Sequence, residues 1–245
     1  MNLIIANNQS IFDEAAANQI LLQLSEKPNS VIAFATGSTP LGMYKKLVAW
    51  YKNGMIDFSQ IHAFNLDEFA DIDIFSKNSF FSFLKKNLYD LVNIKPDHIQ
   101  PIQSAVGSID EICSSYENKI KDCGGLDLAI LGIGLNGHIG YNEPGTPFHS
   151  LTHWTTLTAA TIEANKKLFN EMNETPKQGI TMGIKTIMGA KKILLLANGE
   201  EKAEVLQKAL YGPITEEVPA SVLQMHSNMV TILDCRAAKY LGETV

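Results

Sequence analysis

Hydrophobic and polar positions along this chain fall into two alternating rhythms. Short, nearly unbroken apolar runs recur at Asn2–Ala6, Val31–Thr36, Ile61–Leu66, Ile99–Ile102, Leu126–Gly132, Lys192–Ala197 and Val230–Leu233. Runs that stay apolar on consecutive positions predict strands covered on both faces. Between them, helices are predicted over Ser10–Lys27, from Pro40 through Trp50, and over Ser76–Leu91, Ser108–Asp122, Thr161–Phe169 and Gly199–Leu210. A further strand is expected at Leu151–Leu157 and a helical tail after Asp234. This β-α-β-α succession predicts an α/β fold: a Rossmann-like, mostly parallel sheet with helices on both faces. No Pro/Gly/Ser-rich linker, composition shift or repeat of 20–50 residues divides the chain, so residues 1–245 read as one domain.

Parallel sheets bind ligands beyond the carboxyl ends of their strands. Three predicted strand ends carry unusual residues. The first is Thr36-Gly37-Ser38-Thr39-Pro40. Gly37 permits a tight turn, Pro40 suits the first turn of a helix, and Ser38 and Thr39 bring hydroxyls to free helix N–H groups. The segment is either an anion site of the kind that holds phosphate or plain helix capping by Ser or Thr. The second is Asn65-Leu66-Asp67-Glu68-Phe69. On an extended chain its two carboxylates point to opposite sides. One can enter the cleft as a general base while the other meets solvent or caps the next segment; a solvated turn is the plainer alternative.

The third runs from Leu131 to Gly145 and opens with Gly132-Ile133-Gly134-Leu135-Asn136-Gly137, a match to G-x-G-x-x-G. A dinucleotide site needs a helix to begin there and an acidic strand end about 20 residues on. Gly140, Pro144 and Gly145 break any such helix, and no such strand end follows. What remains is a glycine-rich loop presenting Asn136, His138 and Glu143. An imidazole beside a carboxylate is an acid/base pair, although the spacing alone equally allows a packed histidine.

Two lysines bear on this picture. Lys202, in Asn198-Gly199-Glu200-Glu201-Lys202-Ala203, stands near a helix start, where a cation opposes the helix dipole. A bound anion explains that placement, and so does compensation by Glu200 and Glu201. Lys167 lies on a polar helical stretch. His149 and His153 are four apart, but the β-branched run Thr152–Thr158 does not favour the helix that would aim both rings at one metal. No metal site is expected.

Composition narrows the partners. Twenty Lys and Arg against 26 Asp and Glu give a formal charge of −6, the wrong sign for a protein living on nucleic-acid phosphates. No apolar run approaches the roughly 18 residues of a membrane span, and no signal peptide is visible at the N-terminus. Three cysteines, an odd number without CxxC spacing, fit free thiols in a reducing cytoplasm.

Taken together, Asn65-Leu66-Asp67-Glu68-Phe69 and Gly137-His138-Ile139-Gly140-Tyr141-Asn142-Glu143-Pro144-Gly145 resemble the glucosamine-6-phosphate deaminase family. The resemblance continues through Ala35–Pro40, Thr181–Ile184, Gly199–Ala203 and Gly212–His226, so it spans essentially the whole chain. The related 6-phosphogluconolactonases share the fold and the first glycine loop, but there Gly-His is followed by Thr-Ala-Ser-Leu-Phe-Pro. Here it is followed by Ile-Gly-Tyr-Asn-Glu-Pro, which favours the deaminases. The resemblance implies conversion of glucosamine 6-phosphate and water to fructose 6-phosphate and ammonium, without metal or other cofactor. It assigns ring opening to His138 with Asn136 and Glu143 as partners. It assigns carbon proton transfer to Asp67, and phosphate binding to Gly37, Ser38, Thr39, Lys202 and Lys167.

The chain departs from the family pattern in three places. Asn136 stands where some members carry Asp; it can orient the ring but holds no charge, which leaves Glu143 as the charge partner. Phe69 replaces a common Tyr. Lys167 replaces a frequent Arg and cannot form that residue's planar fork to phosphate. Arg236 is the one arginine among nineteen lysines, so the swap at 167 is part of a chain-wide drift. A lactonase or another sugar-phosphate isomerase, or a silent sugar-phosphate-binding module, are the alternative functions. The expected partner is a small sugar phosphate, neither nucleic acid nor membrane; the sequence does not choose between monomer and homo-oligomer.

Overall fold

The structure, a computed structural model, describes residues 2–70, 72–103, 107–166, 169 and 175–241. Among these residues the strands are, in chain order, β1 (Asn2–Ala6), β2 (Val31–Phe34), β3 (His62–Asn65), β4 (Asp67–Phe69), β5 (Ile99–Gln100), β6 (Leu128–Leu131), β7 (His153–Thr156), β8 (Gln178–Thr181), β9 (Lys192–Ala197) and β10 (Met229–Asp234). The helices are α1 (Gln9–Glu26), α2 (Leu41–Lys52), α3 (Phe80–Asn87), α4 (Ile109–Asp122), α5 (Ala159–Asn165), α6 (Ile184–Met188) and α7 (Ala203–Tyr211).

Seven strands form one parallel sheet in the order β1-β10-β9-β6-β2-β3-β5. β2 and β6 are buried at every position, as their continuous apolar runs require. The connections leaving β1, β2 and β3 step toward the β5 edge, whereas those leaving β5, β6 and β9 step toward the β1 edge. Right-handed crossovers therefore put α1, α2 and α3 on one face and α4 and α7 on the other. The neighbours β2 and β6 send their chains in opposite directions. Their carboxyl ends mark the topological switch point, where α/β sheets open a crevice.

A second, antiparallel sheet, β4-β8-β7, stands beside the first. Leu66 joins the two: its N–H donates to the Phe34 carbonyl of β2, and its own carbonyl accepts from Met182 N–H. The chain thus passes from β3 straight into β4. The Asp67-Glu68 pair lies on a strand and not on a solvated turn. Its carboxylates give it poor strand propensity, which is why only the backbone pairing reveals it. β8 and α6 had no predicted counterpart: Gln178-Gly179-Ile180-Thr181 contains a glycine and a single large apolar residue, and α6 is too short to show a period.

Two further expectations are corrected. The helix expected over Ser76–Leu91 begins only at Phe80 and ends at Asn87, followed by a short 3-10 turn at Tyr89–Leu91. Side-chain and backbone bonds around Asp73, Ser76 and Ser79 fold the preceding segment into turns. After Asp234 the described chain makes turns and no helix: Asp234 caps them as it would a helix, but only the separate bonds Ala238 to Asp234, Lys239 to Arg236 and Leu241 to Ala238 follow.

Four of the seven described helix starts carry a side-chain cap; α2, α6 and α7 do not. Asn8, Ser79, Ser108 and Thr158 each accept a first-turn N–H at the start of α1, α3, α4 and α5. α2 begins after Pro40 with no side-chain cap. No helix among the described residues is long and apolar enough to cross a membrane. Cys113, Cys123 and Cys235 are free thiols.

Candidate active site

The loop after β6 owes its shape to how closely His138 approaches the backbone. The imidazole lies over Gly134, where an added Cβ would stand 2.2–2.4 Å from three ring atoms. Gly134 N–H also donates to the His138 carbonyl at 2.9 Å. Of the glycines that imitate a dinucleotide motif, Gly134 thus serves to seat a histidine. From behind, Ala220 N–H donates to the Gly137 carbonyl, which ties the loop to the segment following α7.

His138 Nδ1 lies 2.7 Å from Asn136 Oδ1, 3.3 Å from Thr161 Oγ1 and 3.5 Å from Glu143 Oε2. Asn136 Nδ2 donates to Glu143 Oε2 at 2.8 Å. Since the amide N–H must face the carboxylate, its oxygen faces the ring. That oxygen only accepts, so Nδ1 carries the proton and Nε2 presents a lone pair. Glu143 is buried and also accepts Thr158 N–H and the Thr158 hydroxyl. Burial pushes its carboxyl up, but bonds from His138, Thr161 and Asn136 and the His138 charge outweigh that and bring it to about 2. Glu143 is therefore an anion wherever the enzyme is folded and active.

Asp67 is 7% exposed and sits at the seam of the two sheets. It pairs with Thr181 of β8, whose hydroxyl accepts Tyr141 N–H at 3.1 Å. Its Oδ2 is 3.6 Å from where a Cβ on Gly140 would lie, so Asp67 flanks the loop that carries His138. Among the described residues no hydrogen bond reaches its carboxylate. Burial, reinforced by the Glu68 charge, pushes its carboxyl up to about 8. Strand alternation turns Glu68 the other way. Fully buried, it accepts N–H groups from Phe69, Phe80 and Phe81 at 2.9–3.0 Å. Burial raises Glu68 as well, to about 7, with those three donors pulling against the rise.

The third strand end is also in place. Gly37 and Ser38 are exposed at the carboxyl end of β2, and Gly37 has φ +93°. Thr39 Oγ1 donates to Asn198 Oδ1 at 2.9 Å, joining this loop to the one after β9. Lys202 Nζ donates to the carbonyl of Ile133, just after β6, at 2.7 Å. Burial lowers the Lys202 ammonium below its usual range. No described carboxylate forms an ion pair with it; Glu200 is turned to Lys239 instead. Lys167 lies outside the described residues.

A family model described as glucosamine-6-phosphate isomerases/6-phosphogluconolactonase matches residues 8–232. The chain belongs to this family. A protein named glucosamine-6-phosphate deaminase from Clostridium novyi (strain NT) is 46% identical over 241 residues, covering 98% of this chain and 100% of the relative. One of the same name from Clostridium botulinum (strain Alaska E43 / Type E3) is 44% identical over 242 residues, covering 99% and 97%. A solved monomeric glucosamine-6-phosphate deaminase superposes with a TM-score of 0.95 at 36% identity, covering 98% of this chain and 99% of that one. A 6-phosphogluconolactonase from Thermotoga maritima shares the fold at a TM-score of 0.75 and 20% identity, over 95% and 99% of the two chains.

Within this family site, three contributors had no sequence signal of their own role. Thr158 and Thr161 reach the His138 network from the start of α5, and Asn198 ties the β2 and β9 loops. A Thr placed three residues ahead of another Thr at a helix start is a capping signature. It predicts the turn but not the partner that the fold brings to it.

Proposed function

We propose that this protein is a glucosamine-6-phosphate deaminase, turning glucosamine 6-phosphate and water into fructose 6-phosphate and ammonium. The observation that carries the proposal is the pair of dissimilar proton-transfer groups at one crevice. A Glu143–Asn136–His138 relay leaves an imidazole lone pair free, and a buried Asp67 lacks hydrogen bonds. The reaction needs two kinds of proton movement, one between oxygens and one between carbons. The relatives' shared name and their coverage of the whole chain support the same reading.

His138 Nε2 takes the C1 hydroxyl proton and returns one to the ring oxygen, breaking the C1–O5 bond and opening the sugar. The imidazolium formed in between is stabilised by Glu143 through Asn136. Asp67 then removes the C2 proton while a proton of the C2 ammonium passes to O1, giving an enolamine, and delivers the abstracted proton to C1. The resulting ketimine at C2 adds water and releases ammonium. A carboxylate deprived of hydrogen bonds and water is a stronger base, which suits a carbon acid better than a solvated Asp would.

The substrate phosphate is assigned to the uncapped N-terminus of α2, with Gly37, Ser38 and Thr39, and to the unpaired Lys202. Lys167 is proposed as a second cation for it. The cytoplasm is the proposed compartment. Purified protein given glucosamine 6-phosphate should release ammonia and fructose 6-phosphate in equal amounts without added metal. Absence of ammonia across the neutral pH range overturns the proposal. Turnover of 6-phosphogluconolactone instead would assign the chain to the lactonases.

A further inference from the structure

We infer that Glu68 is a positioning residue for proton transfer at carbon: locked onto the start of α3, it holds its carboxylate in one place behind Asp67. The inference rests on Asp67 being the carbon base.

Glu68 is wholly inaccessible, yet it is an acidic residue on a three-residue strand. Its Oε1 accepts Phe69 N–H at 3.0 Å and Phe80 N–H at 2.9 Å, and its Oε2 accepts Phe81 N–H at 2.9 Å. Phe80 and Phe81 are the first two residues of α3, and Ser79 Oγ accepts the third first-turn N–H, from Ser82. Every donor facing Glu68 is a backbone amide, two of them at the positive end of a helix, an arrangement complete only for a carboxylate. A protonated Glu68 would bring a hydrogen against those donors.

This arrangement has two consequences for Asp67. The first is orientation. Two bonds clamp residue 68 to α3 and a third ties it to its own strand, and β4 pairs with β8 from Asp67↔Thr181 to Phe69↔Gly179. The neighbouring side chain is thereby held toward the glycine loop. The second is charge. Among the described residues the other titratable groups around Asp67 are His138, on the glycine loop it flanks, and the phenols of Tyr116 and Tyr141, both pushed well above their ordinary range by burial and hence neutral. Glu68, raised to about 7, ionises before Asp67 and is the anion against which Asp67 must then ionise; a like charge strengthens a base.

The test is the pH profile of kcat/KM for Glu68→Gln. With that charge removed, the limb that reports Asp67 should move down by about one pH unit. Relative activity then rises between about pH 7 and 8, where Glu68 is ionised in the natural protein, and falls above pH 8. Ser79→Ala loosens the same helix start without touching the charge, and its limb should stay in place. A limb unmoved in folded Glu68→Gln overturns the inference. Should Glu68→Gln not fold, a measurement on the natural protein serves. There the Phe80 and Phe81 amide shifts, which report Glu68, should titrate below the pH at which the Asp67 limb levels off. Titration at or above that limb would refute the coupling, because Glu68 would then be neutral while Asp67 ionises. Full turnover by Asp67→Asn is a separate outcome, sinking the carbon-base role itself.

Discussion

Asn136 Oδ1 lies 2.7 Å from His138 Nδ1, and this one contact decides which ring nitrogen is free to act. Through its Nδ2, the same amide passes the influence of Glu143, 2.8 Å away, to a ring whose direct distance from that carboxylate is 3.5 Å. Where some family members place a charged residue, this chain uses a neutral relay. The negative charge is thereby moved one residue further from the imidazole.

Asn136→Ala should therefore leave the fold intact but release the ring from its tautomer. Turnover should drop by about 10²-fold, the usual size of a general acid/base contribution, while KM stays within a few-fold. Asn136→Asp keeps an acceptor toward His138 but loses the donor to Glu143, so it should fall between the two. Steady-state ammonia release measures both. An Asn136→Ala variant within two-fold of the natural protein would refute the relay.

As the proposed carbon base, Asp67 should govern the acid side of the activity profile. Its carboxyl is raised to about 8 and acts when ionised, so kcat/KM should climb with pH and level off only near 8. Asp67→Asn should lose at least about 10³-fold in turnover, within the range of acid/base contributions. The same shift has a stability consequence. A raised folded-state value means the native state binds the proton more tightly than the unfolded chain. The stabilisation is complete below the unfolded value and is lost as pH rises through about 8. Above pH 8, Asp67→Asn should melt at a higher temperature than the natural protein. Equal melting temperatures there would show that Asp67 is not buried against charge.

Glu143 should behave in the opposite sense. Its carboxyl is brought down to about 2, so its contribution is present above the unfolded value of about 4.3. That contribution is lost as pH falls through about 2. Circular dichroism melts from pH 5 to pH 2 should show a steeper loss of stability in the natural protein than in Glu143→Gln. That variant should also lose ring opening, read as failure to exchange the anomeric forms of the bound substrate.

Much of this site was legible before any coordinates. Lys192–Ala197 is a strand to the residue, because six consecutive apolar-rich positions leave no helical reading. Its neighbour β6, and β2 beyond it, followed from the same pattern, but the strand order that makes their ends the switch point did not. The chemistry after those strands could be placed because Gly, His and Glu interrupt apolar runs. β4 was hidden, since Asp-Glu-Phe has no strand signature and is a strand only because β8, more than 100 positions later, pairs with it. The burial of Glu68 against α3 and the reach of Thr161 to His138 were hidden for the same reason: each is made by tertiary approach and by no local pattern.

The phosphate site yields the last prediction. α2 begins with no side-chain cap; Leu41 N–H is taken by the Ser38 carbonyl, while those of Gly42 and Met43 have no acceptor among the described residues. Lys202 is the described cation joined to the crevice, and burial already disfavours its charge. A half-buried ammonium donating to the Ile133 carbonyl, with no paired carboxylate, gains most when a phosphate arrives. Lys202→Ala should raise KM by about 10–100-fold, corresponding to a charge-assisted bond of about 1.5–3 kcal/mol. Its kcat should change much less, since Lys202 stands apart from the reacting carbons. Inorganic phosphate should compete with substrate in the natural protein and bind about as much more weakly to the variant. If Lys202→Ala lowers kcat and leaves both KM and phosphate inhibition unchanged, the anion is held elsewhere and Lys202 serves only to brace the Ile133 loop.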